Sequence, residues 1–470
     1  MNYKEIDNLI EKRQNEFKEI SDKIWSYREP AFKEYKSSIL QQDFLKDKGF
    51  TIENNLAGIE TAFKARFGDS GPVIGFLGEF DALPGLSQEE DNPDKKEIED
   101  GNNWGHGCGH NLLGTACMQS VVAIKEYLEN NNIDGSVIYF GCPGEEGGAG
   151  KAFMQREKVF DEADIFLTWH PMSITAGAKG SLANARIYYR FKGVSSHAAV
   201  APHLGRSALD SIELMNVGVN YLREHIIPEA RIHYAVTNTG GTAPNVVQSY
   251  AEVLYAIRAP ENDQLEELIE RVNNIAKGAA LMSGTDVEIQ IVSAYANVLK
   301  NKTLDNLMYS HIKEIYPLEY DEKDYEYAER FYPYVDKNEI QNYKRMAKNY
   351  LDDYKDVLNG PLADIYFPPS NLKLGSTDVG DVSWNKPTSW FSGVTYTLGT
   401  PMHSYLAVAQ GKSSIAIKGM SAAAKVMART AIDVFEDNEI IKKAEEDFKN
   451  ELDGREYKSM IPKDTTYGLI

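Results

Sequence analysis

The segment Gly105–Gly114 reads GHGCGHNLLG and combines one thiol, two imidazoles and four glycines within ten residues. Cys108 and His110 are two positions apart, so both side chains point to the same side of an extended loop. The glycines allow the backbone to bend closely around whatever these side chains hold. A thiolate beside an imidazole suits a divalent transition metal, but a buried thiol next to a surface histidine has the same spacing. The positions of the other candidate ligands are therefore needed to distinguish a metal site from a buried thiol beside a surface histidine.

The segments around this loop predict strands and helices in alternation. Residues 112–125 are rich in Ala, Leu, Val and Met and predict a helix that begins directly after the loop. Residues 72–81 form a near-continuous apolar run that ends in two carboxylates, as a buried parallel strand would. Two further apolar strands are predicted at 136–140 and 164–171, with helical segments between the strands.

Polar side chains follow these strands where each one ends. Strand–helix units form a largely parallel sheet with right-handed crossovers, and such sheets bind ligands beyond the carboxyl ends of their strands. The residues expected at or just past those ends are Asp81, Cys108, His110, Glu145, Glu146 and His170. Their convergence favours a metal site over an isolated thiol and histidine.

Composition limits the class of protein. The 470 residues are 42% hydrophobic and 26% charged, as in an ordinary globular protein large enough for more than one domain. The net charge of −20 argues against nucleic acid or an anionic membrane as partner. Three cysteines form no disulfide framework, and a thiolate ligand needs a reducing compartment. Because no signal-like or membrane-spanning apolar run is evident, we expect a cytoplasmic protein.

Residues 184–296 predict a different order of strands and helices from the rest of the chain. They predict the order strand, helix, strand, strand, helix, strand, which is that of the ferredoxin-like unit. We therefore predict an α/β protein in which this unit is inserted between the two parts, 1–183 and 297–470, of a mostly parallel-sheet domain.

Three other regions carry less information. Residues 3–49 predict two amphipathic helices, and residues 86–104, which are acidic and poor in apolar side chains, predict a surface loop. Residues 309–366 are rich in tyrosine and charge and lack clear periodicity, so their structure and role are not assigned.

The adjacent carboxylates Glu145 and Glu146 can divide two tasks between them. One can bind a metal while its neighbour takes a proton from a water molecule that the metal activates. Glu-Glu pairs are also common on solvated surfaces, but this one follows an apolar strand and a Pro-Gly turn. Asp81 could hydrogen-bond a metal-binding histidine and fix its tautomer, or it could cap a helix, and the two roles are compatible.

Four segments together resemble a known family. Gly78–Pro84 (GEFDALP), Gly107–Asn111 (GCGHN), Pro143–Gly147 (PGEEG) and Trp169–Pro171 (WHP) resemble the four sequence blocks of the M20 peptidase/amidohydrolase family, in the aminoacylase-like branch that uses a cysteine as metal ligand. The resemblance covers nearly the whole chain. It implies a di-metal hydrolase domain, with the ferredoxin-like insertion as lid and dimerisation domain.

The resemblance also implies the roles of the site residues. Two divalent ions would be bound, with Glu145 as general base, and the implied ligands are Cys108, His110, Glu146, His170 and His403. Manganese is usual in this branch, but the mixed donor set also suits zinc or cobalt. The family's first block contains His-x-Asp where this chain has Glu79-Phe80-Asp81, which leaves Glu79 without a role.

The lid is expected to contribute three further residues. Ser195–Ala198 resembles the family block whose histidine, here His197, reaches the partner subunit's site and polarises the scissile carbonyl. Asn245 and Arg258 match positions that bind the carboxylate of the substrate, although Arg258 could instead form a surface ion pair. The resemblance implies a homodimer through the lid, or a hetero-oligomer with a related subunit.

The resemblance implies hydrolysis of an N-acyl or N-aroyl amino acid, with p-aminobenzoyl-glutamate as the first candidate substrate. The alternatives are a dipeptidase, a deacylase of another N-acyl amino acid, and a non-catalytic subunit of a hetero-oligomer. Cys117 and Cys142 are expected in the core. Structural or surface roles are expected for the remaining histidines, His106, His203, His225, His233 and His311.

Overall fold

The computed structural model describes residues 3–373 and 375–469. The chain divides into two compact units. Unit 1 comprises Met1–Gly180, Leu299–Leu372 and Val382–Tyr457, and unit 2 comprises Ser181–Val298, Lys373–Asp381 and Lys458–Ile470. The domain limits predicted from the sequence, at 183/184 and 296/297, stay predictions.

Unit 1 begins with helices and an antiparallel strand pair. These elements are α1 (Tyr3–Lys12), α2 (Gln14–Tyr27), α3 (Tyr35–Asp47), β1 (Thr51–Asn54) and β2 (Phe63–Phe67). The prediction of two helices in residues 3–49 is wrong, because the backbone of Arg13 interrupts the first of them. The buried side chains Ile6, Ile10 and Phe17 keep helical spacing across this break, so periodicity does not reveal it.

The next part of unit 1 contains the predicted strand–helix alternation. Its elements are β3 (Val73–Gly78), β4 (Leu83–Pro84), β5 (Trp104–Gly105), α4 (His110–Asn131), β6 (Ser136–Gly141), α5 (Gly150–Arg156), β7 (Ile165–Met172) and β8 (Thr175–Ala176). Residues 110–124 contain no Asp, Glu, Lys or Arg, which explains why α4 is buried along most of its length. The predicted loop 86–104 is confirmed except for Trp104, which lies in β5. Ser87 and Gln88 are buried in it, and the Gln88 amide donates to the carbonyls of Asn92 and Asp94.

Unit 2 is built on an antiparallel sheet. Its elements are β9 (Ala183–Lys192), α6 (Ala208–Leu222), β10 (Arg231–Asn238), β11 (Tyr250–Ala259), α7 (Asn262–Ser283) and β12 (Asp286–Tyr295). The strand order is β10-β11-β9-β12, and every pair is antiparallel. Alternate residues of β9, such as Ile187 and Tyr189, are buried on the face where α6 and α7 pack. The predicted ferredoxin-like unit is confirmed.

Helices dominate the last part of the chain. The elements are α8 (Lys302–Ile315), α9 (Glu322–Phe331), α10 (Lys337–Ala347), β13 (Tyr366–Phe367), α11 (Val379–Ser383), β14 (Thr388–Val394), α12 (Tyr405–Gln410), α13 (Ser414–Glu436) and α14 (Glu439–Leu452). Much of the unassigned region 309–366 is therefore helical. Across the described part of the chain, no helix combines the length and hydropathy that crossing a membrane requires.

The large sheet of unit 1 positions the site. Its strand order is β1-β2-β6-β3-β7-β14-β8-β13. The central strands β6, β3, β7 and β14 pair in parallel, so their carboxyl ends meet at one edge. The buried helix α4 packs against β3, β6 and β7, and α13 packs against α4 and β14.

Candidate metal centre

The carboxyl ends of the four parallel strands gather the predicted ligands of unit 1. The residues located after β3, after β6, at the end of β7 and after β14 are Asp81, Glu145, Glu146, His170 and His403. Cys108, in the loop before α4, and His110, the first residue of α4, join the same cluster. The sequence-based expectation that these residues converge agrees with this geometry.

The backbone of Gly109 sets the geometry of the loop between the two ligands. Its φ of 73° lies in the left-handed region that glycine adopts without strain. A Cβ at this position would lie 2.3 Å from Tyr396 Oη and 2.9 Å from Pro171 Cβ. Only glycine therefore allows α4 to begin at His110 directly after the Cys108 turn.

Asp81 links an imidazole to the turn that bears the paired glutamates. His110 Nδ1 lies 2.8 Å from Asp81 Oδ1, and both side chains are fully buried. Asp81 Oδ2 accepts a 2.8 Å hydrogen bond from the backbone N–H of Glu146. One carboxylate thus holds the His110 ring and the Glu146 backbone in a fixed relation, with His110 Nε2 on the far side of the ring.

Cys108 and His170 meet on the second side of the centre. Cys108 Sγ lies 3.3 Å from His170 Nε2. His170 Nδ1 lies 2.8 Å from the carbonyl oxygen of Pro171, which can only accept a hydrogen bond. In the neutral ring the proton is therefore on Nδ1, and the lone pair of Nε2 is available to a metal.

His403 reaches the centre from the loop after β14. Its Nε2 lies 3.5 Å from Glu146 Oε1, and its backbone N–H donates to the Gly107 carbonyl at 2.9 Å. This hydrogen bond ties the His403 loop to the Cys108 loop. His403 has a φ of 55°, a left-handed conformation that is uncommon for a residue with a side chain and is often retained at functional sites.

The side chains gathered at this edge of the sheet are chemically suited to bind two cations. His110 Nε2 and Glu146 Oε1 are buried and have no hydrogen-bond partner among the described residues. Such unpaired groups cost about 1–3 kcal/mol each, which a bound cation would offset. Three groups have ligand atoms within 4.8 Å of one another and could hold ions: Cys108 with His110 and His170, Cys108 with Glu146 and His403, and Glu79 with His110 and Glu145. Cys108 belongs to the first two groups.

Burial and neighbouring charges shift the pKa values of these ligands. Burial raises the pKa of the Cys108 thiol, and the charge of Glu146 raises it further, so the thiolate needs a cation beside it. Burial lowers the pKa of His170 to about 4, which keeps the ring neutral and able to bind a metal. Burial alone would lower the pKa of His110, but the charges of Asp81 and Cys108 outweigh it and raise the pKa.

Glu34 supports the glutamate turn and was not singled out by the sequence. Its Oε1 accepts hydrogen bonds of 2.9 Å from the backbone N–H groups of Phe32 and Gly144, and its Oε2 accepts one of 2.9 Å from Thr61 Oγ1. Burial raises the pKa of Glu34 to about 8, and the charge of Asp81 adds to this effect. Nothing in the charged segment around Glu34 distinguishes it from a surface glutamate.

Glu79, which had no role in the sequence analysis, is paired with a buried lysine. Lys151 Nζ lies 2.6 Å from Glu79 Oε1, and Glu79 Oε2 lies 3.2 Å from His110 Nε2. Burial would raise the pKa of Glu79, but the charges of Lys151 and His110 outweigh it and lower the pKa. A lysine among the apolar residues of α5 was the only sequence signal for this pair.

His197 and Asn245 lie on neighbouring loops of unit 2. Ala198 N–H donates to the Asn245 carbonyl at 3.0 Å. The His197 side chain is exposed, and its Nδ1 accepts hydrogen bonds from Ala199 N–H at 3.2 Å and Val200 N–H at 3.3 Å. Because Nδ1 accepts, Nε2 carries the proton of the neutral ring and is a hydrogen-bond donor.

Arg258 lies in β11 of unit 2, opposite Asn184 of β9. Its Nε is buried, and neither this atom nor the side-chain amide of Asn184 has a hydrogen-bond partner among the described residues. No carboxylate within that part of the chain forms an ion pair with Arg258, so the surface-pair alternative is not observed there. An unpaired guanidinium nitrogen is compatible with a carboxylate ligand.

Comparison with known proteins identifies the family. A family model described as a peptidase dimerisation domain matches residues 177–281. One of the subunits of the p-aminobenzoyl-glutamate hydrolase of Escherichia coli (strain K12) is 42% identical over 99% of this chain and 98% of its own length. The Xaa-Arg dipeptidase of Homo sapiens is 26% identical over 94% of this chain and 91% of its own length.

Solved structures agree on the fold. A putative aminohydrolase from methicillin-resistant Staphylococcus aureus has a TM-score of 0.65 at 16% identity, covering 92% of this chain and 99% of its own. A dinuclear metal-binding peptidase of the M20 family from Bacillus subtilis has a TM-score of 0.57 at 15% identity, covering 91% and 99%. The family resemblance seen in the sequence is thereby confirmed. The chain belongs to the M20 family of peptidases and amidohydrolases, and it is a hydrolase of amide bonds.

Proposed function

We propose that the protein is a metal-dependent hydrolase of N-aroyl or N-acyl amino acids, with p-aminobenzoyl-glutamate as its preferred substrate. The observation that carries this proposal is the pair of ligand groups that share Cys108 and have the Glu145 carboxylate beside them. The 42% identity to a p-aminobenzoyl-glutamate hydrolase over nearly the full length supports the choice of substrate.

The proposed ligands are Cys108, His110, Glu146, His170 and His403. Manganese is the first candidate for both ions, and zinc or cobalt would also suit these donors. When bound, such ions polarise the scissile carbonyl and lower the pKa of a coordinated water molecule. Asp81 is proposed to hold the His110 ring through its 2.8 Å contact with Nδ1.

Glu145 is proposed as the general base. It takes a proton from the attacking water and returns that proton to the amide nitrogen as the bond to carbon breaks. A Glu145 oxygen lies within 4.8 Å of ligand atoms of Glu79 and His110, whereas Glu146 is paired with His403. The two adjacent carboxylates therefore have different neighbours, which supports a division of their tasks.

The lid is proposed to bind the substrate and its developing charge. The protonated Nε2 of His197 would donate a hydrogen bond to the carbonyl oxygen as it becomes an oxyanion. Arg258 and Asn245 would bind the free carboxylate of the substrate. The match to a peptidase dimerisation domain supports an oligomer. We propose a homodimer, in which His197 would serve the partner subunit's site. A hetero-oligomer with a related subunit is the alternative.

A substrate panel tests the proposed activity. The purified chain, reconstituted separately with Mn²⁺, Zn²⁺ or Co²⁺, is assayed with p-aminobenzoyl-glutamate, N-acetyl amino acids and dipeptides that end in arginine. We expect the highest kcat/KM for p-aminobenzoyl-glutamate and background rates for the Glu145→Gln control. A preference for the dipeptides would contradict the substrate. Full metal occupancy without turnover of any compound would favour a non-catalytic subunit.

Mixed dimers test whether sites are shared between subunits. Glu145→Ala and His197→Ala chains are each expected to be nearly inactive alone. In a mixed dimer, the site on the His197→Ala chain keeps Glu145 and borrows His197 from the partner. Random exchange makes about half of the dimers mixed, so activity should reach about a quarter of wild type. The control mixes Glu145→Ala chains with chains that carry both substitutions, and it should stay inactive. If exchange is demonstrated and activity does not return, His197 acts within its own chain or not at all.

A further inference from the structure

The buried ion pair of Glu79 and Lys151 is not used by the proposed mechanism. The Lys151 side chain is 0% exposed and that of Glu79 is 3% exposed, with Nζ 2.6 Å from Oε1. Lysine is almost never fully buried, and removing such a pair from water costs several kcal/mol. Its location beside His110 therefore needs a reason other than stability.

The second oxygen of Glu79 faces a nitrogen with which it makes no hydrogen bond. Glu79 Oε2 lies 3.2 Å from His110 Nε2, and that nitrogen has no hydrogen-bond partner among the described residues. His110 Nδ1 already donates to Asp81. A metal that displaces the second proton of His110 leaves a lone pair on Nε2, so Nε2 and Glu79 Oε2 then face each other as two possible ligand atoms in a buried space. A cation between them would satisfy both.

The spacing of the two atoms is that of ligands on one ion. Metal–ligand bonds of about 2.0–2.3 Å with angles of about 90–110° put neighbouring ligand atoms about 2.8–3.7 Å apart. The 3.2 Å between Glu79 Oε2 and His110 Nε2 is within this range. So are the 3.3 Å between Cys108 and His170 and the 3.5 Å between Glu146 and His403.

We propose that Glu79 is an additional ligand of the metal centre, binding through Oε2 the ion that His110 binds, while Lys151 holds Oε1. The inference rests on the proposed metal centre. It adds Glu79 to the ion that His110 binds and leaves the ion of Glu146 and His403 unchanged; Glu79, His110 and Glu145 have ligand atoms within 4.8 Å of one another. A lysine on the free oxygen keeps the carboxylate charged and fixes its direction, as hydrogen bonds to metal-binding carboxylates commonly do.

The test uses variants that retain one ion each. In the His403→Ala background only the ion bound by His110 and His170 should remain. There Glu79→Gln should weaken its binding by about 10–100-fold, measured by competition with a chromophoric chelator. In the His170→Ala background the other ion should remain, and Glu79→Gln should leave its affinity unchanged. Equal weakening in both backgrounds would overturn the assignment, because a general disturbance would not select one ion.

A purely structural role is tested by removing the whole pair. The Glu79→Gln/Lys151→Met variant leaves no lone charge, and circular dichroism shows whether it folds. We expect the folded double variant to bind one ion weakly, and Lys151→Met alone to lose less affinity because Glu79 remains. Wild-type affinity for both ions in the folded double variant would refute a ligand role. Lys418→Met, which breaks the pair with the buried Asp324, is the matched control and should bind both ions normally.

Metal content separates this inference from the proposed activity. If wild type binds two ions and Glu79→Gln weakens one of them, the ligand assignment stands even when no substrate is turned over. If wild type binds fewer than two ions, the proposed centre and the role of Glu79 both fail.

Discussion

Asp81→Asn should lower both the stability of unit 1 and its metal affinity, and the two effects can be measured independently. Asp81 accepts two hydrogen bonds of 2.8 Å, one from His110 Nδ1, which is buried, and one from Glu146 N–H, which is partly buried. Asparagine has a single acceptor oxygen in the same shape, so it can keep one of these bonds and must place its NH₂ group against the other donor. The substitution leaves the size of the side chain almost unchanged.

The substitution should cost both folding stability and metal affinity, and the two losses are measured separately. A hydrogen bond to a charged group contributes about 1.5–3 kcal/mol, so the metal-free protein should lose about that much stability. Outer partners of metal-binding histidines typically contribute about 10–100-fold to metal affinity. The ion bound through His110 should therefore bind about 10–100-fold more weakly. Urea unfolding of the metal-free protein measures the first quantity, and chelator competition measures the second.

Asp433 provides a matched control elsewhere in unit 1. Its Oδ2 lies 2.8 Å from His311 Nε2, and its Oδ1 accepts a 2.7 Å hydrogen bond from Tyr3 Oη. Asp433→Asn thus disturbs another buried Asp–His pair with a second donor, and it should lose similar stability with unchanged metal affinity. If Asp81→Asn keeps wild-type metal affinity, or if Asp433→Asn loses as much affinity, Asp81 does not position a ligand.

Three further predictions concern single residues of the same region. Cys108→Ala should lower metal occupancy and activity together. Cys117 lies in the core, so Cys117→Ala is the control and should keep its metal. Normal occupancy in Cys108→Ala by elemental analysis would show that Cys108 is not a ligand of both ions. Glu145→Gln should lower kcat by about 10²–10⁴ at normal metal content, and Glu146→Gln should also lose metal; the reverse pattern would exchange their roles. Burial raises the pKa of Glu34 to about 8, so the folded state binds this proton more tightly than the unfolded state, and stability should fall as pH rises from about 4.5 to about 8. Urea unfolding of Glu34→Gln should show a flatter dependence over that window, and an unchanged slope would mean that Glu34 is ionised in the fold.

The parallel sheet could be predicted because its signals are local. Each central strand is an apolar run that ends in polar residues, and strand–helix alternation specifies where those ends meet. The edge of the sheet could therefore be predicted without knowledge of any long-range contact. The ligand types came from the Cys108 loop and from the family resemblance, and their grouping around Cys108 agrees with both.

The helices in the tyrosine-rich region 309–366 could not be predicted from hydrophobic periodicity. In α10 the buried residues are Ile340, Tyr343 and Ala347, which keep helical spacing. Tyr325, Tyr334 and Tyr350 are exposed, so aromatic residues lie on both the buried and the solvent sides of this region. When the same residue type serves both environments, its positions no longer reveal which face is buried.

Buried charges could not be predicted, because their partners lie far away in the chain. Glu34 bonds to Gly144, 110 residues later, and nothing local distinguishes it from a solvated glutamate. Lys151 lies among apolar residues of α5, and only the fold brings Glu79 next to it. For such residues the sequence shows a charge, and only the fold shows whether water or a partner surrounds it.

The balance of charge at the sheet edge explains why the centre needs cations. Lys151 matches the charge of Glu79, but the carboxylates of Asp81 and Glu146 face imidazoles and backbone N–H groups. Burial lowers the pKa of His110, but the charge of Asp81 raises it overall, so without a metal the His110 imidazolium balances only one of these carboxylates. Adding the Cys108 thiolate increases the negative charge at the same place. Two divalent ions would compensate this charge and satisfy the unpaired His110 Nε2 and Glu146 Oε1, so metal loss should loosen the Cys108 and glutamate turns together.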